Sequence, residues 1–168
     1  CNRGDKFTAR LRYTSGLCGA RESAAADNER ITMAFKKIGV VGAGTMGNGI
    51  AQAFAQAGFD VVMSDVAQAA LDRALATISG SYDRLIKKEK MTAEQKAAAL
   101  ARIKTATDLA ALKDSDLIIE AATENLDLKL KIFNQLDDLA KPDAVVASNT
   151  SSISITKLAA VTSRPGKF

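Results

Sequence analysis

Apolar residues along this chain follow two alternating patterns. Five short aliphatic runs, Lys37–Val41, Val61–Asp65, Ile103–Thr107, Asp116–Ala121 and Ala144–Ser148, have the length and β-branched content of buried strands. After the first run, apolar positions recur at helical spacing at Met46, Ile50, Ala53, Phe54 and Ala57, and Gly58 supplies the stop. A further helix is expected near Ile153–Leu158. Strands alternating with helices predict a doubly wound parallel sheet, an α/β fold with helices on both faces and right-handed crossovers.

One connection is too long for a simple crossover. Roughly 37 residues, 66–102, separate the second and third strands, about three times the minimum. Leu71, Leu75, Ile78, Tyr82 and Leu85 form a stripe along one predicted helix. Thr92 with Gln95 three residues later is a capping box opening a second helix, expected to carry Leu100 and Ile103. The segment therefore predicts a helical hairpin inserted between strands 2 and 3. Ser81, Arg84, Lys87, Lys88 and Lys90 gather near the end of its first helix. Cations there either complement the helix dipole or meet a phosphorylated substrate, and spacing alone leaves both open.

Residues 1–32 show neither period, begin with Cys, and mix Arg, Ser, Gly and Asn. They are expected to be a disordered or non-native extension, with Met33 as the natural start and 33–168 as a single domain. Asp5, Glu22, Asp27 and Glu29 argue against a transit peptide in that stretch. No apolar run approaches the ~18 residues that would read as a membrane span, and no secretory pattern is present, so a cytoplasmic address is the default expectation.

Charge and residue inventory narrow the chemistry. The net charge of +4 divides evenly, +2 in residues 1–32 and +2 in the remainder, with no basic cluster interleaved with aromatics, so nucleic acid is not an expected partner. The two cysteines, Cys1 and Cys18, both precede the predicted domain, which excludes disulfides and thiolate metal sites from it. Histidine is missing altogether, and with it the commonest metal ligand and general base.

The strongest chemical signal is KIGVVGAGTMGNGIAQAFAQAGFDVVMSD, residues 37–65. Gly42, Gly44 and Gly47 give G-x-G-x-x-G between a strand and a helix, the context that makes the pattern a dinucleotide fingerprint. Gly42 permits the tight turn, Gly44 lets backbone approach a pyrophosphate, and Gly47 lets the helix lie close on the sheet. The helix N-terminus then offers unpaired N–H groups and its positive dipole end to phosphate oxygens. Asp65 lies 21 residues after Gly44, where an acid is expected for the ribose hydroxyls. Its charge would repel the extra phosphate of NADP, and Val66, Ala67 and Gln68 follow without an Arg, so NAD is the expected cofactor. The fold class is accordingly Rossmann-type. Ligands of such sheets bind beyond the carboxyl ends of the strands, where Gly42–Gly47, Asp65, Ala121–Asn125 with Glu124, and Ser148–Ser152 all fall.

Three segments taken in order, VVGAGTMGNGIAQAFAQAGFDVVMSD (40–65), DLIIEAATENLDLK (116–129) and ASNTSSISIT (147–156), resemble the NAD-binding domain of the L-3-hydroxyacyl-CoA dehydrogenases, especially the bacterial 3-hydroxybutyryl-CoA dehydrogenases. The resemblance covers residues 33–168. It implies that Gly42, Ala43, Gly44, Thr45, Met46 and Gly47 wrap the pyrophosphate and that Asp65 takes the adenosine ribose. It further implies that Glu124 and Lys129 line the nicotinamide side, and that Ser151 meets both the nicotinamide end and the substrate oxygen. Ser81 and Lys88 match positions that contact coenzyme A.

The implied reaction is reversible hydride transfer between C3 of a 3-hydroxyacyl-CoA and NAD, in fatty acid or butanoate metabolism. That family uses a histidine oriented by a glutamate as base, and both are expected beyond Phe168, together with a helical domain that carries the homodimer contact. By this reading the chain is the cofactor half of the enzyme, incomplete at its C-terminal end and inactive alone. Two alternatives are a non-catalytic NAD-binding module and another β-hydroxyacid dehydrogenase, which Glu124-Asn125 and Ser148–Ser152 fit poorly.

Overall fold

A computed structural model describes residues 35–168; the expectation for residues 1–32 lies outside the described residues. The chain runs β1 (Lys37–Val41), α1 (Thr45–Gln56), β2 (Asp60–Ser64), α2 (Gln68–Lys87), α3 (Ala93–Ala101), β3 (Ile103–Ala106), a 3-10 turn (Leu109–Leu112), β4 (Leu117–Glu120), α4 (Leu126–Leu139), β5 (Val145–Ser148) and α5 (Ile155–Ala159). All five expected strands form. The second ends at Ser64, so Asp65 stands just past the strand instead of closing it, and the fourth ends at Glu120.

The sheet order is β3-β2-β1-β4-β5, and every neighbouring pair is parallel. β1 pairs with β2 on one side and β4 on the other, so the chain first builds outward one way and then returns to build the opposite way. The junction of β1 and β4 is thus the topological switch point, where two loops diverge and leave a crevice.

Side chains alternate across the strands and separate into two cores. Ile38, Val40, Val61 and Met63 face α1 and the hairpin, burying Ala51, Ala55, Leu71, Ile78 and Tyr82. Val41, Val62 and Ile118 face the opposite way, onto Leu112, Ile132, Phe133, Leu136 and Leu158. Burial on both faces explains why the strands read as continuous apolar runs.

Two details of the helix reading are corrected. The buried residues of α1 are Gly47, Ala51 and Ala55, with Ile50 and Phe54 half-buried, whereas Met46, Ala53 and Ala57 are exposed. The contact face of α1 is made of its smallest residues, because close approach to the sheet leaves little room for side chains. Ile103 is not part of the second hairpin helix; α3 stops at Ala101, and Ile103 pairs with Val61 in the β3 ladder. Strand pairing overrides the helical spacing at that point.

The inserted hairpin is present as α2 and α3. Leu71, Ile78 and Tyr82 are fully buried and Leu75 and Leu85 are half-buried, as the stripe predicts. The Tyr82 hydroxyl donates to the Gln52 carbonyl at 2.9 Å, fastening α2 to α1, and burial pushes its pKa up. The capping box closes in both directions: Gln95 N–H donates to Thr92 Oγ1 at 3.2 Å, and Thr92 N–H donates to Gln95 Oε1 at 2.9 Å. Among the described residues no helix is long and apolar enough to cross a membrane.

Opposite the crevice, Asp116 anchors the amino ends of the strands. Its Oδ2 accepts from Lys36 N–H at 2.6 Å and Lys37 N–H at 2.8 Å, and Lys141 pairs with Oδ1. Arg164 closes the last turn of α4, donating to Asp137 Oδ1 at 2.7 Å and to the carbonyls of Lys141 at 2.6 Å and Asp137 at 2.8 Å.

Candidate cofactor crevice

The glycine turn between β1 and α1 is fixed by sterics. Gly42 has φ of +100°, and a Cβ there would lie 2.7 Å from the Ala121 carbonyl oxygen, so both its torsion and the proximity of β4 require glycine. A Cβ at Gly47 would sit 1.8 Å from the Gly42 carbonyl oxygen. The bare helix face therefore admits the loop's own backbone, a tighter demand than the approach to the sheet expected from the sequence. At Gly44 a Cβ would meet nothing within 4 Å; the space beside it is open.

Gly44 is also the N-cap of α1, and no side chain caps this helix or places an acid in its first turn. The first-turn N–H groups, at Thr45, Met46 and Gly47, thus present the positive end of a 12-residue helix to the crevice. Asp65 completes this half. Its Oδ2 accepts from Ala43 N–H at 2.8 Å and its Oδ1 from Ala67 N–H at 3.0 Å. The acid expected to meet a ribose thereby also staples the end of β2 to the glycine turn, while each oxygen keeps a lone pair for a further donor.

A cavity of about 480 Å³ opens between this turn and α4. Besides Gly42, Gly44 and Asp65, its wall includes Val66, Thr107, Leu109, Leu128 and Gln135. These five residues were missed by sequence reasoning. No local sequence pattern marks them: the exposure of Val66 and Leu128 beside residues already singled out is legible only once the fold is known.

On the other side of the switch point, side chains do the building. The Glu124 carboxylate accepts from Thr150 Oγ1 at 2.8 Å and from Ser151 N–H at 3.2 Å, joining the loop after β4 to the loop after β5. The Thr150 hydroxyl, followed by the Ser151 N–H, holds the Glu124 pKa below its ordinary value. Asn125 caps α4 by accepting from Leu128 N–H at 3.0 Å. Lys129 points inward from the first turn of α4 and is fully buried, its ammonium 2.8 and 2.6 Å from the two oxygens of the equally buried Glu120. Glu120 also accepts from Ser148 Oγ at 2.7 Å and Ala122 N–H at 2.8 Å. This buried carboxylate was not singled out from the sequence, because Glu120 reads as one polar residue ending an apolar strand.

The fold therefore gathers Gly42, Ala43, Gly44, Thr45, Met46, Gly47, Asp65, Glu124 and Ser151 along the carboxyl edge, with Lys129 in the interior beneath them. Ser81 and Lys88 stand on the hairpin, half-buried and exposed respectively, and no described side-chain hydrogen bond joins either to the crevice. A glycine cradle open at Gly44, an uncapped helix start, a carboxylate with spare lone pairs and an adjoining apolar cavity together fit a dinucleotide.

Comparison with known proteins agrees. Residues 37–168 match the family model described as 3-hydroxyacyl-CoA dehydrogenase, NAD binding domain. The 3-hydroxybutyryl-CoA dehydrogenase of Bradyrhizobium diazoefficiens is 53% identical over 133 residues, covering 79% of this chain and 45% of that protein. That of Clostridioides difficile is 44% identical, covering 78% and 47%. The crystal structure of (S)-3-hydroxybutyryl-CoA dehydrogenase PaaH1 from Ralstonia eutropha superposes with a TM-score of 0.78 at 59% identity, covering 80% of this chain and 47% of that one. The chain spans about half the length of the curated relatives it matches. The chain belongs to the 3-hydroxyacyl-CoA dehydrogenase family through that family's NAD-binding domain.

Proposed function

We propose that residues 33–168 are the cofactor-holding domain of an enzyme that moves a hydride reversibly between C3 of a 3-hydroxyacyl-CoA, 3-hydroxybutyryl-CoA in particular, and NAD. The observation that carries the reading is the pairing of an open glycine cradle with Asp65 at one switch point. When bound, NAD accepts the hydride as the alcohol is oxidised and returns it in the reverse direction. The first-turn N–H groups of α1 bind the pyrophosphate. Asp65 accepts from the adenosine ribose hydroxyls and repels a phosphate at that position, which selects NAD over NADP.

Glu124 and Ser151 stand on the nicotinamide side, where Ser151 orients the substrate oxygen, and Lys129 serves that side from within. Ser81 and Lys88 contact coenzyme A from the hairpin. The chain has no histidine. By the family resemblance the proton of the alcohol is taken by a histidine–glutamate pair, which for this chain lies outside it, in an assembly whose helical domain also forms the homodimer, and the domain alone binds without turnover. The setting proposed with this reading is a cytoplasmic enzyme with no nucleic-acid or membrane partner.

Fluorescence titration with NADH and NADPH tests it. Saturable NADH binding is expected, with NADPH weaker by about tenfold or more and no oxidation of NADH when acetoacetyl-CoA is added. Absence of NADH binding at millimolar concentration, or equal affinity for NADPH, sinks the cofactor assignment; steady turnover sinks the division of labour.

A further inference from the structure

Glu120 and Lys129 are both 0% exposed, an ion pair taken completely out of water. Such a pair is a poor source of stability, since well-packed apolar side chains of similar volume commonly serve as well or better. Its position suggests another use. Glu120 is the last residue of β4 and Lys129 lies in the first turn of α4, so their contact closes the base of the loop 121–125 that carries Glu124. Glu120 is also the ladder partner of Ser148, the last residue of β5. Ser148 Oγ donates to the Glu120 carboxylate at 2.7 Å, and the next amide, Asn149 N–H, donates to the Glu120 carbonyl at 2.7 Å. The loop that carries Ser151 starts there.

Four donor contacts thus converge on one carboxylate, two from Lys129 and one each from Ser148 and Ala122 N–H. They use its acceptor sites fully, with no capacity left for a ligand. Both loops of the nicotinamide half start from this carboxylate, and Glu124 then rejoins them at the rim through Thr150 and Ser151. A loop held at base and rim has little freedom, which is what a hydride-transfer site needs of the groups around the nicotinamide.

We infer that Glu120, held by Lys129 inside the core, is the positioning residue of the nicotinamide half, setting where Glu124 and Ser151 stand without touching the cofactor itself. Lys129 then affects the cofactor through Glu120 instead of by direct contact. The inference rests on the NAD reading above for its functional meaning, whereas its structural content can be measured without ligand.

The test uses the whole 168-residue chain with both sites changed together, Glu120→Met and Lys129→Met, so that no buried charge is left alone. The double variant is expected to melt within a few degrees of the wild type. Hydrogen exchange of the amides in 121–125 and 149–152 is expected to speed up by about tenfold in the ligand-free protein, β1 amides staying protected, and NADH affinity to fall by about tenfold, the scale of one charge-assisted hydrogen bond. A purely structural pair would instead lower the melting temperature and leave both readouts unchanged.

Unchanged loop exchange overturns the inference, as does faster exchange with unchanged NADH affinity. If the wild type itself fails to bind NADH, the cofactor reading falls, and loop exchange alone decides whether Glu120 positions the loops. Should the double variant not fold, Ser148→Ala, which removes one donor and leaves the ion pair, decides by the same two measurements.

Discussion

The two halves of the crevice are made of different material. The half at β1 and β2 is built from backbone: a glycine turn at φ +100°, an uncapped helix start, and one carboxylate, Asp65, accepting two main-chain N–H groups. The half at β4 and β5 is built from side chains, with Glu120, Lys129 and Ser148 at its base and Glu124 and Thr150 at its rim. A backbone cradle suits the diphosphate, whose shape is constant among dinucleotides and whose charge is met by N–H dipoles. Side chains suit the reacting end, where direction and distance must be specific to the substrate. Damage to the first half should therefore act through sterics, and damage to the second through loop position.

The largest effect expected from breaking this contrast comes from one methyl group. In Gly47→Ala the new Cβ would lie 1.8 Å from the Gly42 carbonyl oxygen, with backbone on both sides of the collision. Urea unfolding should show a loss of about 3 kcal/mol or more, and NADH binding should disappear with it. The neighbouring Gly49→Ala is the control. Its Cβ meets nothing within 4 Å on the exposed face of the same helix, so helix propensity should raise stability by about 0.5 to 1 kcal/mol. Equal responses at the two positions would mean that the turn relaxes and is not sterically fixed.

The same contrast explains what could be read from the sequence. Gly42, Gly44 and Gly47 were legible because a steric demand leaves a residue-type signature at fixed local spacing. Asp65 was legible because α1 and β2 have lengths that fold geometry prescribes. Glu120 and its pairing with Lys129 and Ser148 were not, since the contact with Ser148 crosses 28 residues and depends on the β4–β5 register. The hairpin was legible from its stripe and capping box, but its end was not: Ile103 continues the helical spacing and only the ladder with β2 claims it. In α1 the buried face was misread because close packing selects Gly47, Ala51 and Ala55, which carry almost no hydrophobic signal.

Asp65 gives an intermediate effect and joins the two modes, being a side chain that holds backbone. Asp65→Ala should weaken NADH by about tenfold. It should also release the Ala43 amide, which donates to Asp65 Oδ2 at 2.8 Å in the ligand-free protein, so that hydrogen exchange there accelerates. The amides of 149–152 should not respond. Unchanged exchange at Ala43 would confine Asp65 to direct ribose contact.

The smallest effect tests the opposite end of the same strand region, where Asp116 resembles Glu120 in accepting main-chain and lysine donors but lies away from the crevice. Partial burial pushes the Asp116 pKa up, yet the Lys141 ammonium and the N–H groups of Lys37 and Lys36 outweigh it and hold the carboxyl down at about 2, against an ordinary 3.8. Because the folded value is the lower one, its stabilisation is fully present above the unfolded pKa and is lost as pH falls from about 4 toward 2. Lys141 is 39% exposed, so solvent screening limits the contribution to about 1 kcal/mol. Asp116→Asn should therefore be less stable than the wild type at neutral pH by about that amount, with the gap closing on acidification through this window. NADH affinity at neutral pH should be unchanged, because Asp116 fixes the amino ends of β1 and β4, at the opposite end of the sheet from the crevice. A gap that stays constant with pH would assign the loss to packing, and a weakened NADH complex would show that the two ends of the sheet are coupled.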